Sequence, residues 1–280
     1  MENMEAIRVD MTDYVYAGEG ANGVSYNHRH DPDVMLKLYN PGKVRQPLDE
    51  MLIARKVFAA GIPTPEPGDY VTDGTRYGIR FHRIRDKVSY ARAVGDHPED
   101  VVRYAKEFAG MCRELHATHV DTTDFECVKD RYARQLAENP FFTLAEKDRL
   151  LRFILDAPDT DTAIHGDLQY GNAIFVGDQR YFIDLGDFCY GYPLFDIGMV
   201  YSTAFLSDAD FVRETFHMEK ETSLRFWQAF ASAYFGKDRP LRDIEAEVRP
   251  YAGLKTIIVE RDTGVPMPTF REALKPILQP

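Results

Sequence analysis

Residues 162–188 read TAIHGDLQYGNAIFVGDQRYFIDLGDF, and this stretch limits what the chain can fold into more than any other. Ala173-Ile174-Phe175-Val176 runs into Gly177-Asp178, and Tyr181-Phe182-Ile183 runs back out, which predicts a β-hairpin closed by a tight turn. Pairing across that turn sets Asn172 opposite a residue near Ile183. Asn172 and Asp184 then stand at the open end within about one residue of register, roughly 5 Å apart at Cα, where their oxygens can share one magnesium ion. Upstream, His165-Gly166-Asp167 follows a short β-branched run and precedes Asn172 by the interval of a tight loop. That loop hangs the Asp167 carboxylate beside the metal, where it can accept the proton of an attacking hydroxyl. Any one of these side chains alone reads as a turn cap, because Asp and Asn favour loops through local hydrogen bonds. All of them in this order point to chemistry.

A catalytic Asp followed by an Asn, and then by a strand ending in a metal-binding Asp, resembles the protein-kinase-like superfamily. HGD in place of HRD, with IDLGDF followed by GYPLFDIG, is similar to the aminoglycoside phosphotransferase and choline kinase branch. The resemblance implies an α+β, bilobal protein-kinase-like fold. A small antiparallel β-sheet with one helix would form the N-terminal lobe, and a larger, mostly helical lobe would follow. It also implies Asp167 as the base and Asn172 and Asp184 as metal ligands. His165 is implied as a scaffold for the catalytic loop and Asp196 as the acid that braces it from beneath. A helix-start Asp favoured by the helix dipole is an equally good reading of Asp196. Asp187 matches the second acid of the Asp-x-Gly-Asp pattern, with its role open.

The expected nucleotide-binding lobe covers residues 1–84. From Tyr14 to Tyr39 the pattern is strand, glycine-rich turn, strand, a turn at Asp31-Pro32-Asp33, and the apolar strand Val34-Met35-Leu36-Lys37-Leu38-Tyr39. Gly18, Gly20 and Gly23 surround a hairpin tip where backbone amides can come close to an anion. Lys37 shares a strand face with Met35 and Tyr39. An ammonium there either snorkels to water or needs a partner. The partner is offered by a helix predicted over 47–60, on which Glu50 lines up with Ile53, Ala54 and Val57, and a carboxylate facing inward has to be paired. Asp49, one position round the helix, is the competing partner. A further hairpin through Asp73-Gly74 closes the lobe, and the connection from Ile84 to Tyr90 reads as the hinge. In the kinase-like families that connection meets the adenine through backbone groups, which marks Arg83 and Ile84 as its neighbourhood.

The expected second lobe, 85–280, carries the catalytic loop and the acceptor pocket. Apolar residues recur at threes and fours over 98–119, 128–138, 143–155, 209–216, 221–235, 243–260 and 270–278, which predicts helices. His116 and His119 read as surface or core-edge residues, since no ligand partner falls at metal-binding spacing.

Net charge of -11 argues against a nucleic-acid partner, because a polyanion needs a dense basic face. Cys112, Cys127 and Cys189 fit neither a disulfide framework nor a zinc site and read as reduced thiols of a cytoplasmic protein. The start MENMEAIRVDM lacks the form of a signal peptide, and no apolar run is long enough for a membrane span. Oligomeric state is not legible.

By resemblance, the expected activity is transfer of the γ-phosphoryl group of ATP, with magnesium, to a hydroxyl of a small molecule such as an aminoglycoside, a choline-like amine, a sugar or a related metabolite. ATP and GTP are not distinguished. A protein Ser/Thr kinase is the first alternative, but about a dozen residues between Asp184 and Asp196 leave little room for a peptide platform, and no Ala-Pro-Glu-like anchor follows. The second is a nucleotide-binding pseudokinase scaffold, against which Lys37, Asp167, Asn172 and Asp184 are all present.

Overall fold

The computed structural model describes residues 4–20 and 22–279. The chain forms two compact units: one runs to Val88 and takes back Ile174–Asp187, and the other holds Ser89–Ala173 and the chain from Phe188 onward. The sequence alone suggests one cut, after Ile84. The return of Ile174–Asp187 to the first unit is invisible to a reading that moves along the chain.

The first unit is built on strands β1 (Ile7–Arg8), β2 (Tyr14–Gly20), β3 (Gly23–His28), β4 (Val34–Tyr39), β5 (Pro67–Thr72) and β6 (Tyr77–His82), with helix α1 (Arg45–Ala59) between β4 and β5. The sheet order is β1-β5-β6-β4-β3-β2. Its pairings are antiparallel except that β1 lies parallel to β5, with Ile7 opposite Val71, so the sheet is mixed rather than purely antiparallel. Hairpin signals join only neighbours in sequence, so they do not reveal an edge strand added from the far end of the unit.

Alternation along β4 decides what each face carries. Leu36 and Leu38 are fully buried with Val9, Tyr14 and Val71, whereas Tyr39 packs with Met51 of α1, Tyr70 and Ile79. Lys37, one residue from each leucine, therefore shares the face that α1 covers. The helix turns Glu50, Met51, Ala54 and Val57 inward at threes and fours. Full burial of Met51 and Val57 stabilises this packing by about 1.5–3 kcal/mol each. The helix starts at Arg45, before Pro47, because a proline in the first turn gives up an amide that has no intrahelical acceptor. The strands Ala173–Val176 and Gln179–Phe182 are neighbours in a sheet, with Gly177 at φ 54° in the turn. The second strand begins at Gln179 rather than Tyr181, since a two-residue loop suffices for the reversal.

The second unit is mostly helical. Val101–His116 packs on Lys220–Phe235 through Phe108, whose ring lies 5.8 Å from that of Phe226 and 5.7 Å from that of Phe230. A short antiparallel ribbon pairs Ala163–Ile164 with Cys189–Tyr190 and brackets the HGD loop. Tyr90–Asp96 is a helix, capped by Ser89, that begins where the hinge reading ended. The helix predicted over 243–260 is two helices, Leu241–Gly253 and Lys255–Thr263, parted at Leu254. Pro250 lacks an amide for the ladder, and Gly253 lies so close to Phe270 and Leu274 that a Cβ would stand 2.8 Å from Leu274 Cδ2. The region predicted over 270–278 is likewise two short helices, Pro268–Ala273 and Lys275–Leu278. Among the described residues, no helix is long and apolar enough to cross a membrane.

Candidate active site

In the first unit, Lys37 Nζ donates to Glu50 Oε1 at 2.9 Å and to Asp184 Oδ1 at 2.8 Å. Asp49 pairs instead with Arg45 at 2.8 Å on the exposed side of α1. Tyr39, two residues along the strand, donates its hydroxyl to Glu50 Oε2, and Lys37 Nζ lies 4.8 Å from the centre of its ring. Glu50, which is buried, thus receives a donor on each oxygen.

Burial opposes the charge on Lys37, but the carboxylates of Glu50 and Asp184 outweigh it and hold the ammonium above its ordinary pKa. Burial lifts Glu50 above the usual carboxylate range, with Lys37 pulling against it and Asp184 adding to it. The Tyr39 hydroxyl is pushed up by burial and by Glu50, so it stays a donor.

Asp184 follows the strand Gln179–Phe182 in the left-handed region, at φ 61°. A non-glycine residue there costs on the order of 1–3 kcal/mol, and Asp is among those that tolerate it best. The backbone then turns through Leu185–Asp187 against α1. A Cβ on Gly186 would stand 3.3 Å from Glu50 Oε2, so this glycine makes room for the buried carboxylate. Asp187 is exposed on the same turn.

Gly18 and Gly20 lie at the end of β2, and Gly20 pairs with Gly23 at the start of β3. Ala21 lies outside the described residues. Gly23 has a packing reason of its own, because a Cβ there would fall 2.1 Å from the Leu38 carbonyl oxygen. The Arg83 amide donates to the Asp33 carbonyl at 2.7 Å, and Ile84 is half-buried just beyond β6.

In the second unit, Asp167 sits in the loop between Ala163–Ile164 and Ala173–Val176. Its Oδ2 accepts from Asn172 Nδ2 at 3.1 Å and from Gln169 Nε2 at 3.4 Å, and its Oδ1 faces Lys255 Nζ at 3.3 Å. Asn172 Nδ2 also donates to the Asp167 carbonyl at 2.9 Å, which fixes the loop across the interval noticed in the sequence. Burial works to raise the Asp167 pKa, but Lys255 and His165 more than offset it and hold the carboxyl below its ordinary value.

The loop is held from below by Asp196, in the first turn of Leu194–Phe205. It is fully buried, accepts the His165 amide at 2.7 Å and the Gly166 amide at 2.8 Å, and lies 3.1 Å from His116 Nε2. His116 Nδ1 in turn lies 2.7 Å from the Tyr234 hydroxyl. An ionised Asp196 accepting from Nε2–H leaves Nδ1 to accept from Tyr234, so each ring nitrogen has a matched partner. The His165 ring is buried, and the Asp167 amide donates to its Nδ1 at 3.4 Å. His116 is a buried link of this chain rather than a core-edge residue.

Lys255 and Gln169 belong to no motif that the sequence displays. Yet Lys255 is a lone charge in the apolar run Gly253-Leu254-Lys255-Thr256-Ile257-Ile258, the same signal that singled out Lys37. Among the described residues, no group of three or more His, Cys, Asp or Glu side chains is placed to hold a metal ion. Asn172 Oδ1, in the second unit, and the Asp184 carboxylate, in the first, are each a hard oxygen donor of the kind magnesium takes.

A model of the phosphotransferase enzyme family matches residues 17–236. Among solved structures, a thermostable mutant of aminoglycoside phosphotransferase APH(4)-Ia in ternary complex with ADP and hygromycin B aligns with TM-score 0.63 at 14% identity, over 94% of this chain and 91% of that one. Amicoumacin kinase hAmiN, in complex with AMP-PNP, Ca2+ and Ami, aligns with TM-score 0.54 at 15% identity, over 98% and 89%. A choline/ethanolamine kinase family protein from Mesorhizobium loti aligns with TM-score 0.53 at 17% identity, over 95% and 85%. At such identities the likeness speaks for the fold. No curated protein matches in sequence.

Proposed function

The chain belongs to the phosphotransferase enzyme family, and we propose that it moves the γ-phosphoryl group of ATP to a hydroxyl of a small molecule. The observation that carries this reading is the Lys37 ammonium held between Glu50 and Asp184. A buried cation fixed by two carboxylates is costly to keep for stability alone, and it is suited to phosphate oxygens. Lys37 would hold the phosphates, with Glu50 and Tyr39 fixing its position, and the glycine turn would cover them with backbone amides. The nucleotides named with similar structures, ADP and AMP-PNP, support ATP as the donor.

Asn172 and Asp184 would hold magnesium, which neutralises charge on the phosphates when bound. Asp167 would orient the acceptor hydroxyl and take its proton. Its lowered pKa makes it a weak base, which suits a loose transition state in which positioning and charge supply most of the acceleration. Cys112, Cys127 and Cys189, none of them in a disulfide among the described residues, and the need for ATP favour the cytoplasm.

The test is Asp167→Asn. Nucleotide affinity, measured by calorimetry, should stay near that of the unchanged protein, while turnover falls by about two to four orders of magnitude. Equal turnover would remove Asp167 as the base. Incubation with ATP, magnesium and a metabolite mixture should give products heavier by one phosphoryl group.

A further inference from the structure

Lys255 is the first residue of the helix Lys255–Thr263, and it reaches Asp167 because the preceding helix stops at Gly253. Leu254, Thr256 and Ile257 beside it are fully buried, so the backbone that carries Lys255 is held in place. Its side chain and that of Asp167 are each 29% exposed, which leaves the pair open on one side. Among the described residues, Asp167 is its acidic partner, and an ammonium has three hydrogens to give. Donors remain for a ligand.

The carboxylate is already provided for on both oxygens, by Lys255 on one and by Asn172 and Gln169 on the other. An amine beside the reacting hydroxyl would meet a carboxylate whose charge is already matched, next to a fixed cation. An anionic group in the same place would meet free N–H donors.

Resting on the phosphotransferase reading, we propose that Lys255 sets acceptor specificity: the site takes a small hydroxyl compound bearing a carboxylate or phosphate near the reacting hydroxyl and disfavours one bearing an amine there. In the transfer, the acceptor hydroxyl oxygen bonds to the γ-phosphorus while the bond from that phosphorus to the β–γ bridging oxygen breaks. The electron pair of the broken bond leaves with ADP, and the hydroxyl proton passes to Asp167. Lys255 holds the anionic group of the acceptor.

The experiment follows ADP release and product mass with the full chain and four sets of acceptors: glycerate and gluconate, glucose 6-phosphate, glycerol and glucose, and ethanolamine, choline and kanamycin. Products should come from the first or second set, which also separates carboxylate from phosphate. Lys255→Gln should lower kcat/KM on the preferred anionic acceptor by about 10- to 100-fold, chiefly through KM, and narrow its advantage over the amines. Lys255→Arg should recover most of the loss, which guards against a variant that merely folds poorly. A preference for the amines, or no product from either anionic set, overturns the proposal. An equal fall in kcat on every acceptor also overturns it, since Lys255 would then act on the transferring group. Failure of the underlying reading shows differently, as no ADP release with any acceptor or with water, and it takes this inference with it.

Discussion

Lys37 Nζ stands 2.8 Å from Asp184 Oδ1 although 147 positions of sequence lie between them. The same ammonium meets Glu50 at 2.9 Å, so one cation balances two acids brought from separate elements. Lys37→Met should leave Glu50 buried without its cation and lower stability by about 3 kcal/mol. Urea unfolding measures this. The double variant Lys37→Met/Glu50→Leu should recover part of the loss, and simple additivity of the two single changes would show that the pair is not coupled.

Tyr39 closes the second oxygen of Glu50, and both residues are buried. Tyr39→Phe keeps the ring against Met51 but leaves that oxygen without a donor, at a cost of about 1–3 kcal/mol. Because Glu50 fixes Lys37, the KM for ATP should rise severalfold with kcat less affected. An unchanged KM would confine Tyr39 to packing.

Much of the Lys37 cluster was legible. Lys37 stood out as the one charge in an apolar strand, and Glu50 as the charge on the inward face of α1, because burial penalises an unpaired ion and pattern reveals burial. The choice between Glu50 and Asp49 also followed from helical spacing, and the structure sends Asp49 outward to Arg45. What stayed hidden were relations that periodicity does not carry. Lys255 comes to Asp167 from the start of a helix that follows a break at Leu254, and apolar periodicity runs the two helices together. His116 looked like a core-edge residue because its partners, Asp196 and Tyr234, lie far along the chain.

Gly186→Ala adds one methyl group that would stand 3.3 Å from Glu50 Oε2. The carboxylate must give way by a few tenths of an ångström, and Lys37 follows it. The expected result is a folded protein with a KM for ATP raised about three- to tenfold, a loss of roughly 1 kcal/mol in binding. Wild-type kinetics would show that Glu50 tolerates the shift.

Lys255 also sets a pH dependence of stability. The folded Asp167 carboxyl titrates below its ordinary value of 3.8, so on acidification the unfolded chain takes up this proton first. The stability it contributes is complete above the unfolded value and is lost as pH falls through the folded one. Lys255→Met removes the principal lowering influence. The stability gap between the two proteins should be constant above about pH 5 and close on further acidification, as followed by urea unfolding at a series of pH values. A gap that widens in acid would contradict this.

The first unit is discontinuous, since Ile174–Asp187 belongs to it. A ribosome that has released β1 to β6 and α1 has made Lys37 and Glu50 but not Asp184, and it must synthesise the HGD loop and the helices before it. Only then does the last acid emerge. Neither half of this protein can be cut out as one uninterrupted fragment with its charges complete, and a nascent chain halted before Asp184 would hold a lysine still waiting for its second counter-ion.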